Sequence, residues 1–467
     1  MHAPWDRILN RLRWPRSWRL RRGGGIRLAG EWLPDDARVR HTHVVGATGS
    51  GKTVLIEQLI QEAIERGQGC LIIDPKGDRE LYDRGRSLCG KYGREADLRL
   101  LSATHSTETG WWNPCGLGNV SELQSKFFNS AIYAEPHYAK WCERALLQVF
   151  NELAGESAEG FSLEQVVGKL EAFSKALKGR DEKVEGLFLD LYNLVHGEWG
   201  AVLGASKSLD PAREVRLLDV TEKNHILFVD LPTEAKKVQS ARIGRLLTQE
   251  LMLISGLRKL HPHLKGEKPF SLYIDEFDAF ATESFATFLN KARSSGFMIH
   301  IAHQTLSDLN RISPDFAGQI LGNCNVRFIF RQDDPDDAER WSRFIGTQKS
   351  VKQTYQTQSG QTTGASSNRE VQEFVIPPDR IKRLRVGECV FSVKTANVAR
   401  VLRIPFRKND DDRRETAQPL TRPQSRGLRV DIHTQPPQPN DLFCAERFGV
   451  FAPTPPNPTL GVLSDLE

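Results

Sequence analysis

The stretch GATGSGKT, residues 46–53, has the spacing G-x-x-x-x-G-K-[ST], with Gly46, Gly51, Lys52 and Thr53 at the fixed positions and Ala47, Thr48, Gly49 and Ser50 between them. Small residues let successive backbone N–H groups curl around phosphate oxygens. A helix beginning at the loop adds its positive end. Lys52 reaches the β- and γ-phosphates, and the Thr53 hydroxyl ligates Mg2+. ATP and Mg2+ are therefore the expected cofactors. The competing reading is a chance match in a glycine-rich turn. It does not explain the short strand over 41–46 or the helical run TVLIEQLIQEAIERG that stops at Gly67.

A loop of this kind works with an acid at the tip of a neighbouring strand. SLYIDEF supplies one: Asp275 to hold Mg2+, directly or through water, and Glu276 to orient water against the γ-phosphate as general base. Two solvated acids at a strand end are the plain alternative. Asp230 in LFVDLP ranks second because no glutamate follows it, and Asp74 in LIIDPKGD third. Small-molecule kinases rarely place a water-activating glutamate after the metal aspartate, so the Asp-Glu pair marks the nucleotide as fuel. Gln304, ending MIHIAHQ, is placed to bond the γ-phosphate or the attacking water. Arg293 in KARSSG is a candidate to reach a neighbouring subunit's site, with Arg327 and Arg331 as rivals and a plain surface arginine as the bland reading.

These side chains need a sheet to hold them. Continuous apolar runs separated by helical patterns predict an α/β fold with a mostly parallel sheet covered on both faces. The runs lie at 41–46, near 70–74, and at 225–231, 270–277, 297–304, 326–332 and 387–394. Over 121–212 the apolar spacing turns helical, which predicts an all-α insertion. The expected organisation is a basic arm over 1–25, nucleotide-binding parts over 26–120 and 213–406 on either side of that insertion, and a tail over 407–467. Nine of the 24 prolines fall at 419–458, which marks the tail as disordered. The polar segment 347–373 reads as a flexible loop or an irregular hairpin.

Bulk properties narrow the class. Ten arginines against four acids give the first 40 residues a net charge of +6, so the remainder of a chain of net +5 is near −1. The seven cysteines are scattered without a CxxC pair, which argues against a zinc site or a disulfide framework and for a reducing compartment. No apolar run approaches the roughly 18–20 residues of a membrane span, and a cytoplasmic protein is expected. Trp5, Trp14 and Trp18 with seven arginines suit peripheral contact with an anionic inner-membrane surface, or nucleic acid, or nothing beyond a basic leader.

Taken in order, RHTHVVGATGSGKT, LIIDPKGD, WWNP, the helical stretch, LYIDEF, KARSSG, IAHQTLSDL and ILGNCNVRFIFRQDDPDDAERWSRFIG resemble the type IV coupling proteins of bacterial conjugation, in their TraD/TraG-type branch, over about residues 25–405. The resemblance implies a RecA-like hexameric ATPase that drives single-stranded DNA, with its attached relaxase, toward a type IV secretion channel. It implies that the all-α insertion faces the relaxosome. It carries the phosphate-loop lysine onto Lys52, the Mg2+ hydroxyl onto Thr53, the acidic pair onto Asp275 and Glu276, the sensing glutamine onto Gln304 and the intersubunit arginine onto Arg293. The family usually opens with two membrane helices. Here the arm 1–25 stands in that place, which leaves two expectations: docking supplied by a separate membrane protein, or a shortened relative acting in mobilisation. The rival readings are a HerA/FtsK-like motor on double-stranded DNA, a secretion ATPase, a nucleotide-gated adaptor without processive turnover, and a P-loop kinase.

Overall fold

The computed structural model describes residues 24–406, apart from 78, 134, 158–159, 178–181, 205–208, 235 and 359–360. The arm over 1–23 and the tail from 407 lie outside the described residues. The strands are β1 Gly25–Leu28, β2 Glu31–Pro34, β3 Thr42–Val45, β4 Cys70–Asp74, β5 Leu98–Ser102, β6 Ile226–Asp230, β7 Phe270–Ile274, β8 Phe297–His303, β9 Val326–Ile329, β10 Thr347–Gln358, β11 Gln361–Phe374, β12 Glu388–Val393 and β13 Val398–Arg403.

Nine of them form one sheet in the order β13-β12-β9-β3-β8-β7-β4-β6-β5. From β9 to β5 every pairing is parallel. At the other side β12 runs antiparallel to both β9 and β13. Alternate residues of the central strands enter different cores. Leu71 and Ile73 of β4, with Leu227 and Val229 of β6, face one core. Cys70 and Ile72, with Ile226 and Phe228, face the other. That two-sided burial is why these strands read as unbroken apolar runs instead of alternating ones.

The helix Lys52–Glu65 covers one face, and helix Lys237–Leu260 serves the other. Between β5 and β6 the described residues form a block of four helices, Val120–Ser130, Pro136–Glu156, Leu163–Ala176 and Glu182–His196, followed by the short helix Leu217–Glu222 that leads into β6. Two begin with reciprocal caps: Asn119 with Glu122, and Ser162 with Gln165. The block leaves and returns at one place. The Trp111 amide donates to the Arg213 carbonyl, the Val215 amide to the Trp111 carbonyl, and the Trp112 amide to the Val202 carbonyl. The WWNP motif is thus a clasp across the base of the block. Beneath it, the Lys126 ammonium donates to Glu250 of the long helix at 2.9 Å, and the Trp112 indole donates to the same carboxylate at 3.1 Å.

Three elements add to the sequence expectation. Residues 25–34 form a hairpin, β1–β2, whose turn places Ala29 and Gly30 at positive φ, as a two-residue hairpin turn requires. Of the two readings of the polar segment, a loop or an irregular hairpin, the structure shows the second: a long antiparallel ribbon, β10–β11, with one break in register between Tyr355 and Thr357. It belongs to a separate two-stranded sheet, so no core pattern announces it. Two of its cations, Lys349 and Lys352, are paired with Glu370 and Glu373 at 3.6 and 2.9 Å. The apolar runs around 326–332 and 387–394 do form strands, but β12 and β13 close the sheet antiparallel. Among the described residues no helix is long and apolar enough to cross a membrane.

Candidate nucleotide site

The parallel strands β3, β8 and β7 end side by side, and the loops leaving them supply the candidate groups. The phosphate loop leaves β3 and runs into helix Lys52–Glu65, with Gly51 as its N-cap at φ 114°. Gly49 also lies in the left-handed region, at φ 69°. The loop is pinned from outside. The Ala47 amide donates to the Arg331 carbonyl at 2.9 Å, and the Gly387 amide donates to the Ser50 carbonyl at 2.9 Å. At Gly46 a Cβ would sit 2.4 Å from the Phe330 Cβ, so only glycine allows this approach. Gly46→Ala is expected to cost about 1–3 kcal/mol of stability through overpacking and to weaken nucleotide binding. A thermal melt and a nucleotide titration check this. An unchanged melting temperature would mean that Phe330 yields.

Within the loop, the Lys52 ammonium folds back onto the Gly46 and Ala47 carbonyls, at 2.6 and 3.3 Å. Burial lowers its pKa, while Asp275, Glu276 and Asp308 draw it back up. The Thr53 hydroxyl donates to Asp275 Oδ2 at 3.3 Å. Hydroxyl and carboxylate are the hard oxygen donors that Mg2+ takes, and an ammonium cradled by the loop is placed for phosphate. These residues fit a magnesium nucleotide.

Asp275 follows β7, and its Oδ1 accepts from the Glu276 amide at 3.0 Å. Glu276 holds φ 43° and ψ 46°, a left-handed conformation unusual outside glycine. Burial pushes its carboxyl pKa up, and Asp275, Asp278 and Glu234 push the same way, with Lys52 opposing. Gln304 follows β8, the strand between β3 and β7. Its Oε1 accepts from the Thr48 hydroxyl at 3.0 Å, which leaves the amide nitrogen as its donor.

Lys52, Thr53, Asp275, Glu276 and Gln304 therefore come together around the loop. Arg293 does not. It is exposed just before the start of β8, while Gln304 follows the end of that seven-residue strand, about 20 Å away at the usual rise. Its rival Arg327 is buried and bonds the Leu321 carbonyl at 2.6 Å, so it cannot reach across a surface. Arg331 pairs with Asp333 at 3.0 Å, beside its own phosphate loop. Asp230 lies on β6, two strands beyond β7, and accepts from Ser102 and Thr104 at 2.8 and 2.7 Å. Asp74, at the tip of β4, accepts from the Lys76 amide.

Two features near the site escape a motif reading. Arg311 reaches Asp278 at 3.0 Å and Asp308 at 3.5 Å, which ties the segment after Glu276 to the helix after Gln304. The reciprocal cap of Thr305 and Asp308 is the one signal visible in the sequence, as TLSD. Lys76 lines a small cleft with Thr53, Asp74 and Asp275.

A parallel sheet in which a third strand, followed by Gln304, lies between the phosphate-loop strand and the acidic strand has the RecA-like P-loop ATPase architecture. Residues 26–84 match the family described as type IV secretion-system coupling protein DNA-binding domain, and residues 269–386 match the family described as TraM recognition site of TraD and TraG. Two separate segments of the chain thus match models drawn from type IV coupling proteins.

The chain is 23% identical over 406 residues to the type 4 coupling protein DotL of Legionella pneumophila, covering 69% of this chain and 51% of that protein. It thus spans about half the length of that curated relative. Among solved structures, an unbound form of the conjugative coupling protein TrwB lacking its N-terminal segment matches with a TM-score of 0.64 at 18% identity, over 83% of this chain and 90% of that one. TrwB with ADP and Mg2+ matches at 0.63 and 17%, over 86% and 91%. VirB4 of Thermoanaerobacter pseudethanolicus matches at 0.54 and 13%, over 83% and 96%.

Proposed function

We propose that this chain is an ATP-driven DNA translocase that links relaxase-bound single-stranded DNA to a type IV secretion channel, working as a homo-hexamer. The observation that carries the reading is Glu276. A strained, half-buried carboxylate directly after the Thr53-bonded Asp275 has a use in activating water and none in a passive adaptor. ATP and Mg2+ are the cofactors, and TrwB, of the same fold, has been solved with ADP and Mg2+. When bound, Mg2+ would offset the charge of the phosphates, with the Thr53 hydroxyl and the Asp275 carboxylate as the residues that would hold it. The chain's own residues do the rest. Lys52 leaves the loop carbonyls for phosphate, Thr53 and Asp275 hold the metal, Glu276 orients water, and Gln304 registers the γ-phosphate. Arg293, exposed and remote from its own loop, serves the neighbouring subunit. The four-helix block faces relaxosome proteins, and residues 1–25 supply peripheral contact with the inner membrane.

The test is ATP hydrolysis by the purified chain alone, then with single- and double-stranded DNA. Stimulation by single strands is expected. Stimulation by duplex alone would favour a HerA/FtsK-like motor, and tight ATP binding without turnover would favour an adaptor. Mixing inactive Arg293→Ala and Lys52→Ala chains tests the arginine. Partial recovery is expected, because the second chain offers its arginine to the first chain's intact site. No recovery removes Arg293 from that role.

A further inference from the structure

Two histidines that no nucleotide-site motif uses lie directly behind the site. His43 is on β3, three residues before Gly46, and His303 is the last residue of β8, immediately before Gln304. Both are fully buried, among Val44, Val45, Ile301 and Ala302 of the same two strands. Their rings stack with centroids 4.8 Å apart, and the two Nε2 atoms are 2.5 Å apart. Trp341 packs on His43 at 5.4 Å.

The hydrogen-bond partners fix the protons. His303 Nδ1 lies 2.7 Å from the Thr305 carbonyl, which can only accept, so Nδ1 carries the hydrogen. Burial holds both rings neutral, His303 down to about 4 and His43 well below its usual value. A neutral His303 then has a bare Nε2, and the single hydrogen between the rings belongs to His43. His43 Nδ1 is left as a lone pair without a partner. Such a pair is costly to bury where aliphatic side chains would pack, so packing alone does not account for it.

The pair closes a ring. From His43 the chain runs through Gly46 to Thr48, the Thr48 hydroxyl bonds Gln304, and His303 bonds back to His43. On the far side of Gln304, the Thr305 amide is held by Asp308 and the Leu306 amide by Asp337. The backbone of Gln304 is thus fixed on both flanks, and its side chain is left to respond. We infer that His43 and His303 are positioning residues, a neutral imidazole pair that locks the phosphate-loop strand to the sensor strand so that Gln304 faces the γ-phosphate. The inference rests on the reading of Gln304 as the sensor in an ATPase.

The experiment compares His303→Phe, His43→Phe, the milder His43→Gln and Gln304→Ala, alone and combined, by kcat, KM and binding of a non-hydrolysable ATP analogue. Turnover is expected to fall about tenfold or more in the phenylalanine variants, with analogue affinity within about twofold, and Gln304→Ala is expected to add little to either. His43→Gln, which keeps a donor, should recover part of the loss. In the wild-type chain, solid-state NMR with 15N-labelled histidine should find the Nδ1–H tautomer at His303 and Nε2–H at His43, a readout that stands if the variants fail to fold. Unchanged kcat with a lowered melting temperature, losses that add fully to that of Gln304→Ala, or the reverse tautomers would overturn the pair. Gln304→Ala turning over as fast as wild type would instead overturn the sensor reading beneath it.

Discussion

Glu276→Gln is expected to bind ATP as tightly as the parent chain and to hydrolyse it at least about a hundredfold more slowly, the size of a lost general base. The substitution keeps the shape and the half-buried packing while removing the group that accepts the proton. Lys52→Ala acts on the other half of the cycle. It removes an ammonium that already sits in the loop, 2.6 Å from the Gly46 carbonyl. A charge-assisted bond to phosphate is worth about 1.5–3 kcal/mol, so affinity should drop roughly ten- to a hundredfold. Nucleotide titration and steady-state turnover on the two variants separate these effects. A Glu276→Gln chain that hydrolyses at the parent rate would remove Glu276 from the chemistry.

The same carboxylate sets a pH dependence. A general base works only when deprotonated. Burial and the neighbouring Asp275, Asp278 and Glu234 raise the pKa of Glu276 above the usual glutamate value. The acid limb of the kcat profile therefore lies at higher pH than an ordinary glutamate gives: turnover falls as pH drops through the raised pKa and recovers above it. That limb should vanish from the residual activity of Glu276→Gln.

The second large effect is on stability. Glu250→Ala or Lys126→Ala alone is expected to destabilise the fold by about 3–5 kcal/mol, because each leaves a buried charge without its partner. The two side chains are 3% and 1% exposed. Lys126 also donates to the Pro114 and Leu117 carbonyls, at 2.8 and 2.9 Å. Burial drives the Glu250 carboxyl upward, with Lys126 and the Trp112 indole acting against it. Replacing both by apolar residues of similar volume should cost less than either single change. Chemical denaturation of the three variants decides it, and additive losses would show that the pair has no coupling.

Much of this was legible in the residues. The phosphate loop announces itself because only small residues and one lysine meet its geometry. The central strands do so because two-sided burial leaves no polar alternation. Asp275, Glu276 and Gln304 were readable because parallel strands deliver their chain ends to one edge. What the sequence hid was contact at a distance. Nothing local pairs Lys126 with Glu250, 124 residues apart, or His43 with His303, 260 apart. The ribbon over 347–374 was legible only as one of two alternatives, a loop or an irregular hairpin, because it contributes no face to the main sheet. Arg311 was obscured because an exposed arginine acquires meaning only from the two acids that fold beside it.

The clasp at Trp111 has a consequence for how such a chain can vary. The segment before the helical block and the segment after it run side by side, joined by paired backbone bonds between Trp111 and residues 213–215. An excursion whose two ends are already fastened together adds little closure entropy as it lengthens, since each doubling costs only about 0.6 kcal/mol. The block can therefore be shortened, enlarged or exchanged for another with little disturbance to the sheet. Chains built on this sheet are free to replace the helices between 120 and 196 while the edge that carries the phosphate loop stays as it is.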